Sequence, residues 1–195
     1  MDAFDEFKKI LERFGVLGGM AVGGAVFLPF ISGAAGFAPI WPPAQAFVTA
    51  VAMLVVLMLV FQFTVRIGKR AHTILLTVFA LLFVGALGCY LYLFGTFVSL
   101  HPSNEAKLVL GCEWTRDARL LGATGSGCPG DYGQLLHTAG YNPSRIWTLE
   151  SIQFIQNMLF LAWLASFAIL AGLIGTFLIG LNRFPAPGPS DQRHE

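Results

Sequence analysis

Four long runs without a charged side chain constrain this chain more than any other feature of its sequence. They cover residues 14–41, 46–65, 71–100 and 151–182. Each reaches the roughly 20 residues that a helix needs to cross a hydrocarbon core. Only 12% of the 195 residues are charged, compared with about 25% in soluble domains. We therefore predict an all-α integral membrane protein that folds as a four-transmembrane-helix bundle.

The runs divide the chain into a transmembrane domain and two short terminal segments. We predict spans at about 15–40, 46–65, 72–100 and 151–182, within a domain 15–182 that includes the loop 101–150. The first run could also be a secretory signal, but signal peptides have a basic flank. Here the preceding residues carry four acidic and three basic side chains, so the sequence favours a true span.

The distribution of Lys and Arg predicts the orientation of the spans, because cytoplasmic loops are enriched in these residues. With four spans, both termini share one side with the turn 66–70, and that side holds eight of the 12 basic residues. We therefore expect both termini in the cytoplasm and the loop 101–150 in the periplasm or outside the cell. The membrane would be the plasma (inner) membrane.

The two terminal segments differ in character. Residues 1–14 place their apolar side chains on one helical face and their charges on the other, which predicts an amphipathic helix on the cytoplasmic leaflet. Such a helix could also dock on a partner or fold into a pore mouth. The Pro-rich, polar tail 183–195 is predicted to be mobile.

Glycine recurs every four residues at the start of the first run. Gly15, Gly19 and Gly23 would form one smooth stripe on a helix. Small residues at this spacing let membrane helices approach closely. Such packing matters because helices in lipid gain no hydrophobic free energy when they associate. The stripe predicts a packing surface within the bundle or between protomers.

The last run is longer than a membrane requires. Asn142 and Pro143 suit a helix start, and no proline follows before residue 183, so we expect one helix of about 60 Å. Its outer half carries a polar stripe of Glu150, Gln153, Gln156 and Asn157. Polar groups in a membrane need partners, so the stripe predicts interhelical hydrogen bonds or a water-filled vestibule.

The long loop holds Cys112 and Cys128, sixteen positions apart. Disulfides persist outside the reducing cytosol, and a bridge over such a loop contributes about 3 kcal/mol in the chain-entropy model. We therefore predict a structural disulfide between them. Zinc is disfavoured because His101 and His137 share the loop without a closely spaced ligand pair.

This arrangement of spans and cysteines resembles, in topology alone, the bacterial quinone-coupled disulfide oxidases. Those enzymes carry a second, closely spaced Cys-x-x-Cys pair in their first outer loop. This chain reads "PIWPPAQ" there. Without that pair, Cys112 and Cys128 have no relay to a membrane quinone, and the resemblance assigns no catalytic residue.

The remaining sequence contains no catalytic motif. "GATGSG" is not followed by the Gly-Lys-Ser/Thr of a phosphate loop, and no acid–base pair lies inside a span. We expect a non-enzymatic membrane subunit, without a cofactor, that self-assembles or supports a larger membrane complex. An oligomeric pore or membrane-permeabilising effector is the alternative, and a thiol-disulfide oxidoreductase a weaker one. The partners would be the lipid bilayer and membrane proteins rather than nucleic acid.

Overall fold

The fold is known from a computed structural model, which describes residues 23–24, 27–64, 67–101, 107–120, 123, 128 and 132–183. Residues 27–34 are helical and lead into a turn. The named elements that follow are α1 (Gln45–Thr64), α2 (Lys69–Phe97), β1 (Val98–Leu100), β2 (Lys107–Val109), α3 (Arg116–Leu120), α4 (Gly133–Thr138), α5 (Pro143–Ile146) and α6 (Leu149–Arg183).

Three of these helices are long and apolar enough to cross a membrane, namely α1, α2 and α6 as far as Leu181. They correspond to the second, third and fourth predicted spans, which supports a location in a membrane. Residues 15–22 and 25–26 of the first predicted span, the segment 1–14 and the tail from residue 184 onward lie outside the described residues. The predicted count of four spans and their orientation therefore stay predictions.

α6 is the central helix of the described bundle, because α1 and α2 both pack along it. Thr49 of α1 meets Trp163, and Leu57 meets Gly175 further along, so α1 and α6 run in the same direction. Tyr90 of α2 meets Trp163, and His72 meets Thr176, so α2 runs in the opposite direction. Within the described helices, α1 and α2 each pack far more on α6 than on each other.

One face of α1 is buried although the helix is apolar all round. Its buried residues recur at helical spacing and are Thr49, Ala50, Met53, Leu57, Phe61 and Thr64. Met53 and Leu57 pack with Ala171 of α6 in a small apolar cluster. Most of the remaining large side chains of α1 are exposed, as expected for a helix whose other faces contact lipid.

Glycines on α6 allow the close approach of both neighbouring helices. A Cβ atom at Gly172 would lie 2.8 Å from Phe79 Cε1 of α2, and one at Gly175 would lie 3.2 Å from Leu57 Cδ2 of α1. At Gly180, a Cβ would lie 2.5 Å from His72 Cε1. Such distances are shorter than ordinary van der Waals contacts. The close packing of α6 therefore depends on glycine, which has no side chain, at these positions.

The loop between α2 and α6 is folded and is not purely helical. β1 follows α2 directly and pairs with β2 in an antiparallel ladder, with Val98 opposite Val109 and Leu100 opposite Lys107. We call the described residues from Val98 to Thr148 the cap. The prediction of an all-α fold is therefore wrong in this loop, and the third predicted span ends at Phe97, three residues early, because residues 98–100 form a strand.

The predicted continuous helix from Pro143 is also wrong. Asn142 does cap a helix, since its Oδ1 accepts from the Ser144 N–H at 3.2 Å, but α5 ends at Ile146. After that residue the backbone pairs with an earlier segment of the cap and does not continue the helix. Thr115 N–H donates to Ile146 O, and Thr148 N–H donates to Glu113 O. These bonds take the place of the hydrogen bonds that would continue α5, and α6 begins as a separate helix at Leu149.

Candidate functional site

The cap is built around two tryptophans. Trp114 and Trp147 face each other in an isolated antiparallel bridge, and their rings stack at 5.7 Å between centroids. Tyr132 packs edge-on against Trp147 at 6.0 Å. Their core continues without a break into the bundle through Ile152, Ile155 and Leu159 of α6. The cap is therefore an extension of the helical core and not a separate domain.

Gly111 allows the segment that follows β2 to lie against the start of α6. A Cβ atom at this position would lie 2.6 Å from Trp147 Cβ and would also collide with Ser151 Oγ. Ser151 Oγ in turn accepts from the Cys112 N–H at 3.3 Å. Only glycine permits this approach, because any side chain would separate the two segments.

The predicted disulfide between Cys112 and Cys128 is present. Cys112 is half-buried next to Gly111, and Cys128 is exposed. The bridge thus ties a surface segment to the part of the cap that packs on Ser151. Cys89 of α2 is a free, exposed cysteine and takes no part in it.

A turn after the helical residues 27–34 is held by two side chains from other parts of the fold. Gly36 has a positive φ of 81°, and the Phe37 N–H donates back to Ser32 O at 3.0 Å, a common helix ending. Lys107 of β2 donates to Gly36 O and, at 3.3 Å, to Ala38 O. The Tyr90 hydroxyl donates to Phe37 O between them. Three successive carbonyl groups are therefore satisfied by α2 and the cap.

Lys107 is held at this turn by more than hydrogen bonds. Its Nζ lies 5.3 Å from the centroid of the Phe94 ring, within the range of a cation–π interaction. Burial lowers the pKa of Lys107, because the charged form loses hydration. No carboxylate forms a salt bridge with it among the described residues, so its charge is compensated by carbonyl dipoles and an aromatic face.

An aromatic cluster lies between α2 and α6, where the helical bundle adjoins the cap. Tyr90 is packed against Trp163 at 5.3 Å and against Phe94 at 5.8 Å, and Trp163 also contacts Phe167 at 4.4 Å. The Trp163 indole N–H donates to Thr49 Oγ1 at 3.1 Å. At the other end of α6, His72 Nε2 bonds to Thr176 O at 2.8 Å. α6 is thus joined to each of its two neighbouring helices by a buried hydrogen bond.

The structure places the predicted polar stripe at the cap end of α6. Thr49 lies four residues into α1 and meets Trp163, so Leu159 is level with the start of α1. Glu150, Gln153, Gln156 and Asn157 therefore lie beyond that level. The stripe is exposed except for half-buried Gln156, and in the described part of the chain it makes no hydrogen bond to another helix.

The glycine stripe of the first predicted span is described only at one position. Gly23 is helical and half-buried, and a Cβ atom there would meet nothing within 4 Å among the described residues. Gly15 and Gly19 lie outside the described residues. The proposed role of this stripe in packing is therefore untested.

Two concave surfaces lie on the cap. The larger, of about 540 Å³, is an open depression lined by Asp117, Leu120, Thr138, Ala139 and Arg145. The smaller, of about 270 Å³, is a groove between the segment that contains Ile40, strand β2 and the start of α6. Its described walls are mostly apolar, with Lys107 and Gln156 among the polar residues.

Some polar atoms of this region have no partner. Trp114 Nε1, Trp147 Nε1 and Gln45 Oε1 are buried without a hydrogen bond among the described residues. No cluster of three or more His, Cys, Asp or Glu residues that could hold a metal ion was found in the part of the chain that the structure describes. The described residues thus form a closely packed cap with two concave surfaces.

Comparisons with protein families, with curated proteins and with solved structures gave no match.

Sequence reasoning missed several residues that organise this region. It selected the glycines of the first run, although Gly172, Gly175 and Gly180 are equally small and lie within nine residues of the last run. It also passed over Lys107, whose position beside apolar residues of a short strand is an available signal. The pairing of Trp114 with Trp147 has no local signal, because it joins residues far apart in the sequence.

Proposed function

We propose that this protein is a non-enzymatic, multi-pass membrane subunit that self-assembles or supports a larger membrane complex through α2. The observation that carries the proposal is the exposure of α2. Of its 29 residues, His72, Tyr90 and Phe97 are buried, and none of the residues 73–89 is. Among the described residues, the middle of the helix packs on α6, and its opposite face is exposed.

The open face of α2 has the composition of a helix-packing surface. Gly85 and Gly88 lie at its centre, opposite the buried residues, and a Cβ at either position would meet nothing within 4 Å among the described residues. In contrast, the space beside each glycine of α6 is occupied by a side chain of a neighbouring helix. Small residues give membrane helices a surface for close association, and we assign Gly85 and Gly88 to contact with a second membrane protein.

We further propose that both termini lie in the cytoplasm, and that the cap projects from the plasma membrane on the other side. The excess of Lys and Arg on the side of the termini supports this orientation. So does the disulfide of the cap, since such bonds persist in oxidising compartments.

Cys89 provides a direct test, because it is exposed on α2 and follows Gly85 by four residues, which places the two on one face of the helix. We expect oxidative crosslinking in intact membranes to join Cys89 to a second copy, or to a partner that has a nearby cysteine. Gly85→Leu combined with Gly88→Leu should abolish the product and reduce the mass of the purified assembly. Leu91→Phe adds bulk at the edge of the exposed surface and serves as the control. A single protomer in lipid nanodiscs, with no co-purifying protein, would contradict the proposal.

An oligomeric pore is a second candidate, favoured by the exposed stripe of Glu150, Gln153 and Asn157. Side chains of this kind could line a wetted vestibule in a ring of protomers. Liposome flux with the full chain tests it: a pore predicts ion release that Gln153→Leu with Asn157→Leu suppresses. Absence of flux from liposomes that contain the assembled protein would rule against it.

A further inference from the structure

The groove of about 270 Å³ lies where the headgroups of a bilayer would be. Ile40, at one wall, is five residues before the start of α1, and Leu149 and Ile152 are at the start of α6. α1 has 20 residues, which matches the thickness of a hydrocarbon core. A bilayer that covers α1 therefore places its polar boundary on the cap side at the level of the groove.

The groove combines apolar walls with one cation. Among its described lining residues, Lys107 is the only charged one. An ammonium group has three N–H donors. Among the described residues, Lys107 donates to two carbonyl oxygens, Gly36 O and Ala38 O, which leaves one donor without a described protein acceptor. Gln156, also in the lining, adds an amide. Glu150 is exposed close by on α6 and is not part of the lining.

Two apolar residues of the groove are also exposed at the surface of the protein. Ile40 is 41% exposed and Leu149 is 62% exposed, although both line the groove. A ligand with a negative polar group and an apolar body matches this pattern, since its charge would meet Lys107 while its body covers the apolar rim. The lowered pKa of Lys107 agrees with a cation that lacks a charged partner.

We propose that this groove binds the headgroup of an anionic phospholipid from the leaflet on the cap side, with the phosphate at Lys107 and Gln156. Basic pockets between membrane helices recognise acidic headgroups in this way. A zwitterionic lipid fits less well, because the described lining has no carboxylate for its ammonium group. The inference rests on membrane insertion of α1, α2 and α6, but not on the partner proposed for α2.

The test uses the full-length protein in detergent with phosphatidylglycerol or phosphatidylcholine of identical acyl chains, and native mass spectrometry measures the bound lipid. Gln156→Glu places a negative charge in the groove without touching the bonds of Lys107. Gln153→Glu is the matched control, because it makes the same change one turn away at an exposed position. Lys107→Arg keeps the cation.

We expect the wild-type protein and Lys107→Arg to bind phosphatidylglycerol about five-fold or more tighter than phosphatidylcholine. Gln156→Glu should remove that preference, and Gln153→Glu should retain it. Equal binding of both lipids by the wild type would overturn the proposal, as would equal losses in the two glutamate variants. Displacement by millimolar inorganic phosphate would assign the groove to a free anion instead. The readout does not depend on oligomeric state, so a failed lipid preference is distinguishable from a failed α2 interface.

Discussion

Trp163 of α6 donates its indole N–H to Thr49 Oγ1 of α1 across 3.1 Å, and both side chains are buried. This bond fixes the register of two helices that otherwise contact through apolar groups. Thr49 also bonds back to Gln45 O at 2.7 Å, so its hydroxyl serves its own helix and a neighbour at once.

Thr49→Val should destabilise the bundle by about 1 kcal/mol, because the Trp163 donor stays buried without an acceptor. Denaturation in mixed micelles measures the free energy of unfolding. The matched control is Thr73→Val, since Thr73 makes the same kind of bond to Lys69 O but is exposed on α2. Equal effects of the two substitutions would show that the interhelical bond contributes nothing.

Gly180→Ala should cost about 1–3 kcal/mol, because the added methyl group would overlap the His72 ring and overpack the site. The ring cannot move aside without weakening its bond to Thr176 O. Gly95→Ala is the control at an open helical position of α2, where better helix propensity predicts no loss of stability. Thermal unfolding in detergent compares the two variants. A neutral Gly180→Ala would mean that α2 and α6 are not in close contact there.

Replacement of Cys112 and Cys128 by serine should destabilise the cap by about 3 kcal/mol. The loss should be local, because the contacts between α1 and α6 do not involve the bridge. Hydrogen exchange is the measurement: amides of the cap should exchange faster, and those in the middle of α6 should stay protected. Cys89→Ser should change neither. Retained protection throughout the cap would contradict a stabilising role of the disulfide.

Tyr90→Phe and Lys107→Met should each destabilise the turn that contains Gly36, Phe37 and Ala38 by about 1 kcal/mol. Their effects should not be additive, because both side chains hold neighbouring carbonyl groups of the same turn. A double-mutant cycle of unfolding free energies gives the coupling. Strict additivity would show that the two side chains act on independent parts of the fold.

The long apolar helices could be predicted from the sequence because the membrane imposes a length and excludes charge. The second run predicted α1 to within a residue at each end. Its packing face could not be predicted, since Met53 and Leu57 face α6 while equally apolar Leu54 and Val55 face outward. Apolar periodicity carries no information in a helix that is apolar all round.

The cap was the least predictable region. The disulfide followed from the number, spacing and surroundings of two cysteines. The strand pair and the break before α6 did not, because they depend on pairing between residues such as Thr115 and Ile146. Asn142 and Pro143 correctly indicated a helix start, but nothing local to them indicates that Thr148 will bond to Glu113 and end the helix.

The central position of α6 also has a consequence for biosynthesis. α1 and α2 leave the ribosome early, yet the surface on which both pack is the last long helix of the described chain. Trp163, Gly172 and Gly180 must be translated before α1 and α2 can make their contacts with α6, and the core of the cap is complete only when Ile152 and Ile155 of the same helix follow. Truncation before α6 would therefore remove the surface on which both helices and the cap pack.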